Sequence, residues 1–399
     1  MVWNAFRKEA RLFQTRAFNV SYVHRVRFVD DALGSDGEAL AAAFADAGSG
    51  PGRALAFVDD NLARARVELP ERIEAWARAH PQAVKLALPI HRVPGGELCK
   101  NDPEVWRSLC RTMDEGRLCR QSYALAFGGG AVLDVVGFAA SLVHRGIRLV
   151  RIPTTTLAQA DSGVGVKNAV NAFGKKNFLG TFSPPWAVIC DRGLLATLSD
   201  DDWRSGFAEV VKVALLKDAA LFEHLRRVAD DLRRRDRAQS MPVIERAAQL
   251  HIDHIVSGGD PFETSRARPL DFGHWSAHKL EQVTGFSVPH GHAVAIGIVL
   301  DMVYSAKIGL ADMRLAEAAR DTFARLGLPT YHPAMADADA ILGGLEEFRE
   351  HLGGRLTVTL VRAPGASVDV HEIRQDAMRE AMGFLATWGK PSGPAGGKA

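Results

Sequence analysis

Four short apolar runs, "ALAFVDD", "YALAFGGG", "IRLVRIPTT" and "WAVICD", punctuate the first half of the chain, with helix-sized stretches between them. Such runs read as strands buried on both faces, and strands of that kind are parallel ones joined by crossover helices. Residues 1–192 are therefore expected to form an α/β domain. Beyond about residue 192 the strand signal fades. "DDWRSGFAEVVKVALLKD", "IERAAQLHIDHIV", "HAVAIGIVLDMVYSAKIGL" and "MRLAEAARDTFARLG" carry helical spacing, so 193–388 reads as a mainly α-helical domain. Two domains also suit 399 residues, which exceed one ordinary core. "RLTVTLVRAPG" alternates like a strand and either rejoins the first domain or makes a small hairpin. The Gly- and Pro-rich tail, 389–399, has almost nothing to bury and is expected to be disordered.

Charge narrows the partners. Lys+Arg of 49 against Asp+Glu of 47 leave +2, too small a bias for nucleic acid or a membrane surface to be the main partner. No apolar run approaches the ~18 residues of a spanning helix. The first twenty residues lack the apolar core and small-residue cleavage site of a secretory leader, so the expected compartment is the cytoplasm. Cys99, Cys110, Cys119 and Cys190 form no CxxC pair and suit reduced thiols.

In "AFGGGAVLDVVGFAA" three glycines follow a strand and open a helix. Glycine lets backbone approach a phosphate, and the helix N-terminus offers free N–H groups, so Gly129 and Gly130 are pyrophosphate candidates. GGG is not the GxGxxG fingerprint, and a tight turn is the alternative. Asp134 lies one turn into that helix, where capping or solvation is its plain role. Asp59 and Asn61 in "FVDDNL" stand past the first strand, where a carboxylate can accept from a ribose; Glu97 and Lys100 in "PGGELCKND" read singly as a surface ion pair. Loops following successive strands converge on one crevice in an open α/β sheet, which favours a dinucleotide site. "RIPTTTLAQADSGVGVKNAVNAFGKKNFLG" then brings Thr154, Thr155, Asp161, Lys167, Lys176 and Asn177 in about 30 residues without an evident element pattern, suited to phosphate or hydroxyl groups.

In "FAEVVKVALL", Glu209 and Lys212 are three apart on one helix face. "DFGHWSAHKLEQ" reads as one helix with Asp271, His274 and His278 as a polar stripe, and "VPHGHAVAIG" puts His290 and His292 before a long apolar helix. One carboxylate with two imidazoles is an open divalent-metal set that zinc accepts, and Glu209, His274 and His290 are the candidate ligands. There is no HExxH, and their separation leaves ordinary core histidines as the alternative.

Taken in order, "GGGAVLDVVGFAA", "PTTTLAQADSGVGVKNAVN", "GKKNFLG", "GFAEVVKVALLKD", "DFGHWSAHKLE" and "HGHAVAIG" resemble the sugar phosphate cyclases, the family of 3-dehydroquinate synthase and the C7-cyclitol synthases, from about residue 55 to about 362. The resemblance implies an N-terminal NAD-binding α/β domain, a helical domain binding metal and substrate, and a homodimer. It implies NAD contacts at Asp59, Asn61, Glu97, Lys100, Gly129, Gly130, Asp134, Thr154 and Thr155. It implies a divalent metal, zinc or else cobalt, on Glu209, His274 and His290. Substrate hydroxyls and phosphate would meet Arg145, Asp161, Lys167, Lys176, Asn177, Lys212 and His278, with Asp271 completing that wall. The implied chemistry is transient oxidation by NAD, phosphate elimination, return of the hydride and an intramolecular aldol closure.

The family's 3-dehydroquinate synthases generally carry Asn where Asp271 stands, with an Arg and a Lys for their substrate's carboxylate. Arg266 and Arg268 do not register with that Arg, and "EEFREHLGGRL", with Arg349, Glu350 and His351, occupies the Lys region. A carboxylate at 271 would repel a carboxylated substrate. "PLDFGHW" and "EFREHLGG" look like the branch that closes sedoheptulose 7-phosphate to 2-epi-5-epi-valiolone or a stereoisomer. Alternative readings are a 3-dehydroquinate synthase, a metal-dependent polyol dehydrogenase, a non-catalytic subunit of the same fold, and an Asp271 that merely pairs with a nearby Arg.

Overall fold

The computed structural model describes residues 16–45, 50–263, 268–351 and 353–388. The tail 389–399, the side chain of His351 and Arg266 lie outside the described residues.

The apolar runs pair as strands β1 (Val26–Val29), β2 (Gly52–Asp59), β3 (Val84–Leu86), β4 (His91–Val93), β5 (Tyr123–Gly128), β6 (Arg148–Pro153) and β9 (Ala187–Asp191). They form one sheet in the order β1-β9-β6-β5-β2-β3, with β4 also beside β2, and every pairing is parallel. Two buried apolar layers cover its faces, one around Phe44, Trp76 and Tyr123, the other around Leu109, Met113 and Val136. Full burial on both faces explains why these strands read as continuous rather than alternating apolar runs. β1, "VRFV", has only four residues and carries two arginines' worth of polar context around it, which hid it from the sequence pattern.

After β4 the chain crosses β2 to lay down β5 on its other side. The crevice at this reversal, outside the strands' carboxyl ends, is where open α/β sheets take ligands. There β2 ends at Asp59 and enters helix α1 (Asp60–Ala65), while β5 runs into helix α2 (Gly130–Leu142).

The stretch from Thr154 to Gly180 is not a loop. It holds a π-helical turn at Ala158–Ser162 and an antiparallel hairpin of β7 (Lys167–Ala172) and β8 (Lys175–Phe182). The hairpin was illegible because β8 is exposed along most of its length, and so carries no period-two burial pattern. "RLTVTLVRAPG" forms a second hairpin, β10 (Val358–Ala363) with β11 (Ala366–Val370), and does not rejoin the sheet.

Among the described residues beyond 200, the regular elements are helices apart from that hairpin. The helices that build the site are α3 (Phe207–Lys217), α4 (Arg237–Ser257), α5 (His274–Val283), α6 (His290–Lys307) and α7 (Ala338–His351). α6 is buried on all sides and runs through the core of the helical part, with α3 packed against it. No helix among the described residues is long and apolar enough to cross a membrane.

Candidate active site

A cavity of about 1110 Å³ lies between the carboxyl ends of the strands and the helices α3 to α7. Its walls are best followed from the sheet outward.

At the sheet end, Asp59 caps α1: its Oδ1 accepts from the N–H of Asn61 at 2.8 Å and of Leu62 at 3.4 Å, and burial pushes its carboxyl up. The α2 N-terminus has no side-chain cap and begins at Gly130, so its free N–H groups face the cavity. A Cβ at Gly130 would come within 2.7 Å of Ser162 Oγ, which is the physical reason for glycine there. Thr154 and Thr155 line the same end. Glu97 and Lys100 are no surface pair. Lys100 is buried, with Nζ 2.7 Å from Asp134 Oδ2, 3.8 Å from Glu97 Oε1 and in contact with Asn177 Oδ1. Burial alone would lower its pKa, but the carboxylates of Asp134 and Glu97 outweigh burial and raise it.

Across the cavity, three helices converge. Glu209 on α3 is 1% exposed, and its Oε1 lies 3.4 Å from Nε2 of His274 and 3.4 Å from Nε2 of His290. One donor atom from each residue lies within 4.8 Å of the others. Two donors about 2.1 Å from a tetrahedral ion stand roughly 3.4 Å apart, so the spacing suits a divalent cation. His274 Nδ1 is 3.0 Å from the Phe272 carbonyl, and His290 Nδ1 is 3.1 Å from Glu281 Oε2 and 3.3 Å from Lys176 Nζ; with a cation bound, donation from each Nδ1 to its oxygen would leave the Nε2 lone pairs for the ion. Neither Glu209 oxygen makes an aligned hydrogen bond, although Lys212 Nζ stands 2.6 Å from Oε2. Burial would raise the Glu209 carboxyl, but Lys212 and His274 hold it well below the usual carboxylate range. A buried carboxylate without a hydrogen-bond partner, 3.4 Å from two imidazole nitrogens, is the donor set of a zinc-type site.

Asp271 stands apart from this set. The stripe expected on one helix is broken: 269–271 is a 3₁₀ turn, Gly273 adopts φ +77°, and α5 starts at His274. A Cβ on Gly273 would lie 2.8 Å from the Ile298 backbone N, so α6 passes too close for any other residue. His274 and His278 do share a face of α5, with ring centroids 5.3 Å apart. Burial and the Lys176 ammonium hold His278 well below the usual imidazole range. Asp271 still lines the cavity, 3.9 Å from Arg268, a loose pairing.

Between the two ends, the β7–β8 hairpin reaches over the cavity. Lys176 Nζ is 2.5 Å from Glu281 Oε1, and Lys167 contacts Glu263. Asn177 is placed by Asn171, whose Oδ1 accepts from its N–H at 2.8 Å. Asp161 lies 2.7 Å from His251 Nδ1 and 3.9 Å from Lys212 Nζ. Arg145 is not brought here. It is exposed, at φ +64°, just past the C-terminal end of α2, a 13-residue helix roughly 20 Å long whose other end faces the cavity.

Residues 90–205 match the 3-dehydroquinate synthase N-terminal family and residues 206–347 the 3-dehydroquinate synthase C-terminal family. The chain belongs to the 3-dehydroquinate synthase family of sugar phosphate cyclases. A 3-dehydroquinate synthase of Rhodopseudomonas palustris (strain BisB18) is 35% identical over 304 residues, 74% of this chain and 78% of that one. A 2-epi-5-epi-valiolone synthase of Streptomyces glaucescens is 33% identical over 346 residues, 85% of this chain and 87% of that one. The solved ValA (2-epi-5-epi-valiolone synthase) of Streptomyces hygroscopicus subsp. jinggangensis 5008, with NAD+ and Zn2+ bound, superposes with TM-score 0.84 at 29% identity, covering 94% of this chain and 99% of that one. The expected fold class, an α/β domain followed by a mainly helical one, holds within this family.

Four residues of the cavity or its supports escaped the sequence reading: Asn171, His251, Glu263 and Glu281. His251 sits four turns into α4 among ordinary helix residues, and Glu281 follows an apolar Leu at the end of α5. Neither has a local signal: His251 meets Asp161, 90 positions away, and Glu281 meets Lys176, 105 positions away.

Proposed function

We propose that this chain is an NAD- and divalent-metal-dependent sugar phosphate cyclase, a phosphate-eliminating carbon–oxygen lyase. It would convert sedoheptulose 7-phosphate to a C7 cyclitol, 2-epi-5-epi-valiolone or a stereoisomer, with release of inorganic phosphate. The observation that carries the reading is one cavity holding the Glu209–His274–His290 donor set, the cationic hairpin and the uncapped α2 N-terminus together.

Glu209, His274 and His290 would hold the metal, zinc or cobalt by donor type. Gly129 and Gly130 with the α2 N-terminus would take the NAD pyrophosphate, Asp59, Asn61, Glu97 and Thr155 its ribose and adenosine groups, and Thr154, Lys100 and Asp134 the wall beside it. When bound, NAD supplies a hydride acceptor and donor, and the cation acidifies vicinal hydroxyls.

The chain's own groups do the rest. Lys176, Lys167, Asn177 and neutral His278 would bind the phosphate; the lysines offset its charge and His278 offers a ring nitrogen to a phosphate oxygen. Lys212, charged and pinned between Glu209 and Asp161, would orient substrate hydroxyls. Asp161, already held by His251, presents its second oxygen as an acceptor. The domain boundary near 192/193 would place the dinucleotide on one side and the metal on the other, in a cytoplasmic homodimer.

Asp271 favours the sugar phosphate that lacks a carboxylate. Its carboxylate on the cavity wall, with Arg268 only loosely paired, repels a substrate carboxylate. The 35% identity to a 3-dehydroquinate synthase supports a second reading, with a carboxylated heptulosonate 7-phosphate as substrate. Phosphate release from each sugar phosphate with NAD and metal, followed by NMR of the product, separates the two. Turnover of the carboxylated sugar alone would overturn the first.

A further inference from the structure

Beneath the cavity floor lies a cation that the proposed chemistry does not use. Arg151 on β6 is 0% exposed and ranks among the largest fully buried side chains. Its guanidinium is taken up almost wholly by backbone. Nη1 donates to the carbonyls of Ser162, Gly163 and Gly165 at 3.3, 3.2 and 2.9 Å, and Nη2 to the carbonyl of Lys167 at 2.8 Å and to Asn168 Oδ1 at 2.7 Å. Asn168 in turn donates from Nδ2 to the Ser183 carbonyl at 3.2 Å, on the far strand's exit from the hairpin. A Cβ on Gly137 of α2 would fall 1.7 Å from Asn168 Oδ1, so the helix is kept bare of a side chain where this network passes.

These acceptors belong to the segment that carries Asp161 and leads directly into β7, and thus into the hairpin bearing Lys176 and Asn177. Ser162, Gly165, Lys167 and Asn168 line the cavity themselves. No carboxylate forms an ion pair with Arg151 among the described residues; Asp134 is the acidic group whose field reaches it. Burial lowers its pKa to about 10, so it remains charged at neutral pH. A buried charge held by carbonyls alone is expensive to keep for packing only, since an apolar side chain of similar volume would fill the same space.

We propose that Arg151 is a positioning residue for the anion-binding part of the cavity. Its planar fork gathers the carbonyls of 162–167 inward, away from the cavity, and fixes the base of the hairpin so that Asp161, Lys176 and Asn177 project over the substrate. Turning those carbonyl dipoles away from the space where a phosphate would sit removes a repulsive wall from an anionic ligand. Lysine cannot replace it, because an ammonium offers no fork to carbonyls on two sides. The inference rests on the reading of this cavity as a sugar phosphate site.

The test compares the parent protein with Arg151→Lys, both loaded with NAD and metal. The expected result for Arg151→Lys is a rise of at least tenfold in KM for the sugar phosphate, a matching loss of affinity for inorganic phosphate as a competitive inhibitor, and an unchanged metal content per folded chain. A variant whose folded fraction keeps the parent's KM and phosphate affinity, however much its Tm falls, would show Arg151 to be a core residue only. Loss of metal and phosphate affinity in equal measure would also overturn the proposal. Should Arg151→Lys not fold, Asn168→Ala removes one arm of the network while leaving the guanidinium, and a smaller shift of KM in the same direction is expected; no shift counts against the inference. A parent protein that neither turns over a sugar phosphate nor binds inorganic phosphate would instead sink the cavity's assignment and leave the two failures distinguishable.

Discussion

Glu281 Oε2 stands 3.1 Å from His290 Nδ1 while its Oε1 stands 2.5 Å from Lys176 Nζ, so one buried carboxylate orients an imidazole and anchors the hairpin across the cleft. Burial would raise the Glu281 carboxyl, but His290 and Lys176 pull it far below the usual range. Carboxylate, imidazole and candidate cation site thus form one chain of contacts, in which the carboxylate would fix the tautomer of the imidazole once a cation is bound.

Removing that link should weaken the metal without abolishing it. Glu281→Gln is expected to lower metal affinity roughly 10- to 100-fold, whereas His274→Ala should abolish metal and activity together. Metal content after dialysis against graded chelator measures both. An unchanged chelator midpoint in Glu281→Gln would refute the tautomer argument.

Asp271→Asn tests the proposed repulsion between Asp271 and a substrate carboxylate. Relief of a like-charge contact on the order of 1 kcal/mol should raise kcat/KM for the carboxylated heptulosonate, relative to sedoheptulose 7-phosphate, by roughly fivefold. Competition kinetics with both sugars give the ratio directly. A constant ratio would mean that Asp271 does not face the distinguishing end of the substrate.

Gly273→Ala should damage the metal site from the backbone. An L residue at φ +77° costs about 1–2 kcal/mol, and its Cβ would press on the Ile298 backbone N at 2.8 Å. The start of α5, and with it His274, must shift. Lower Tm and weaker metal retention are expected together; a variant with full metal content and parental Tm would contradict the close approach of α5 and α6.

Asp301 on α6 predicts a pH dependence. It is fully buried, accepts from Trp275 Nε1 at 2.9 Å and from the Gly273 N–H at 3.1 Å, and burial pushes its carboxyl up to about 7. The unfolded chain releases this proton near pH 4 and the folded one near 7, so the group's contribution to stability is complete at acid pH and falls by about 1.4 kcal/mol per pH unit across that window. Asp301→Asn loses a hydrogen bond at every pH but escapes this decline. The Tm of the parent minus that of the variant should therefore shrink from pH 5 to pH 7 and level off above; parallel curves would exclude a raised Asp301.

Much of the fold is legible in the sequence. Sheet and helices announced themselves because parallel strands buried on both faces and amphipathic helices leave unmistakable periods in "YALAFGGG" or "MRLAEAARDTFARLG". Glu209 and Lys212 shared a face by spacing alone, as their 2.6 Å contact bears out. The order of motifs points to the family, and the glycines of "AFGGGAVLDVVGFAA" to a crevice at the strand ends, where Gly129 and Gly130 line the cavity.

What the sequence by itself determined, then, was whatever short-range chemistry can carry: element type, the α/β then helical order, and the residue types capable of binding a cation or a phosphate. Only the tertiary structure decided that Glu209, His274 and His290 meet, that Asp271 lies off the His274 helix, that Arg145 lies outside this chain's own cavity, and that His251 and Glu281 contact cavity residues from other segments. The reason is that each of these depends on contacts between segments far apart in the chain, such as Glu281 with Lys176, 105 positions away, and nothing local to either residue records its partner.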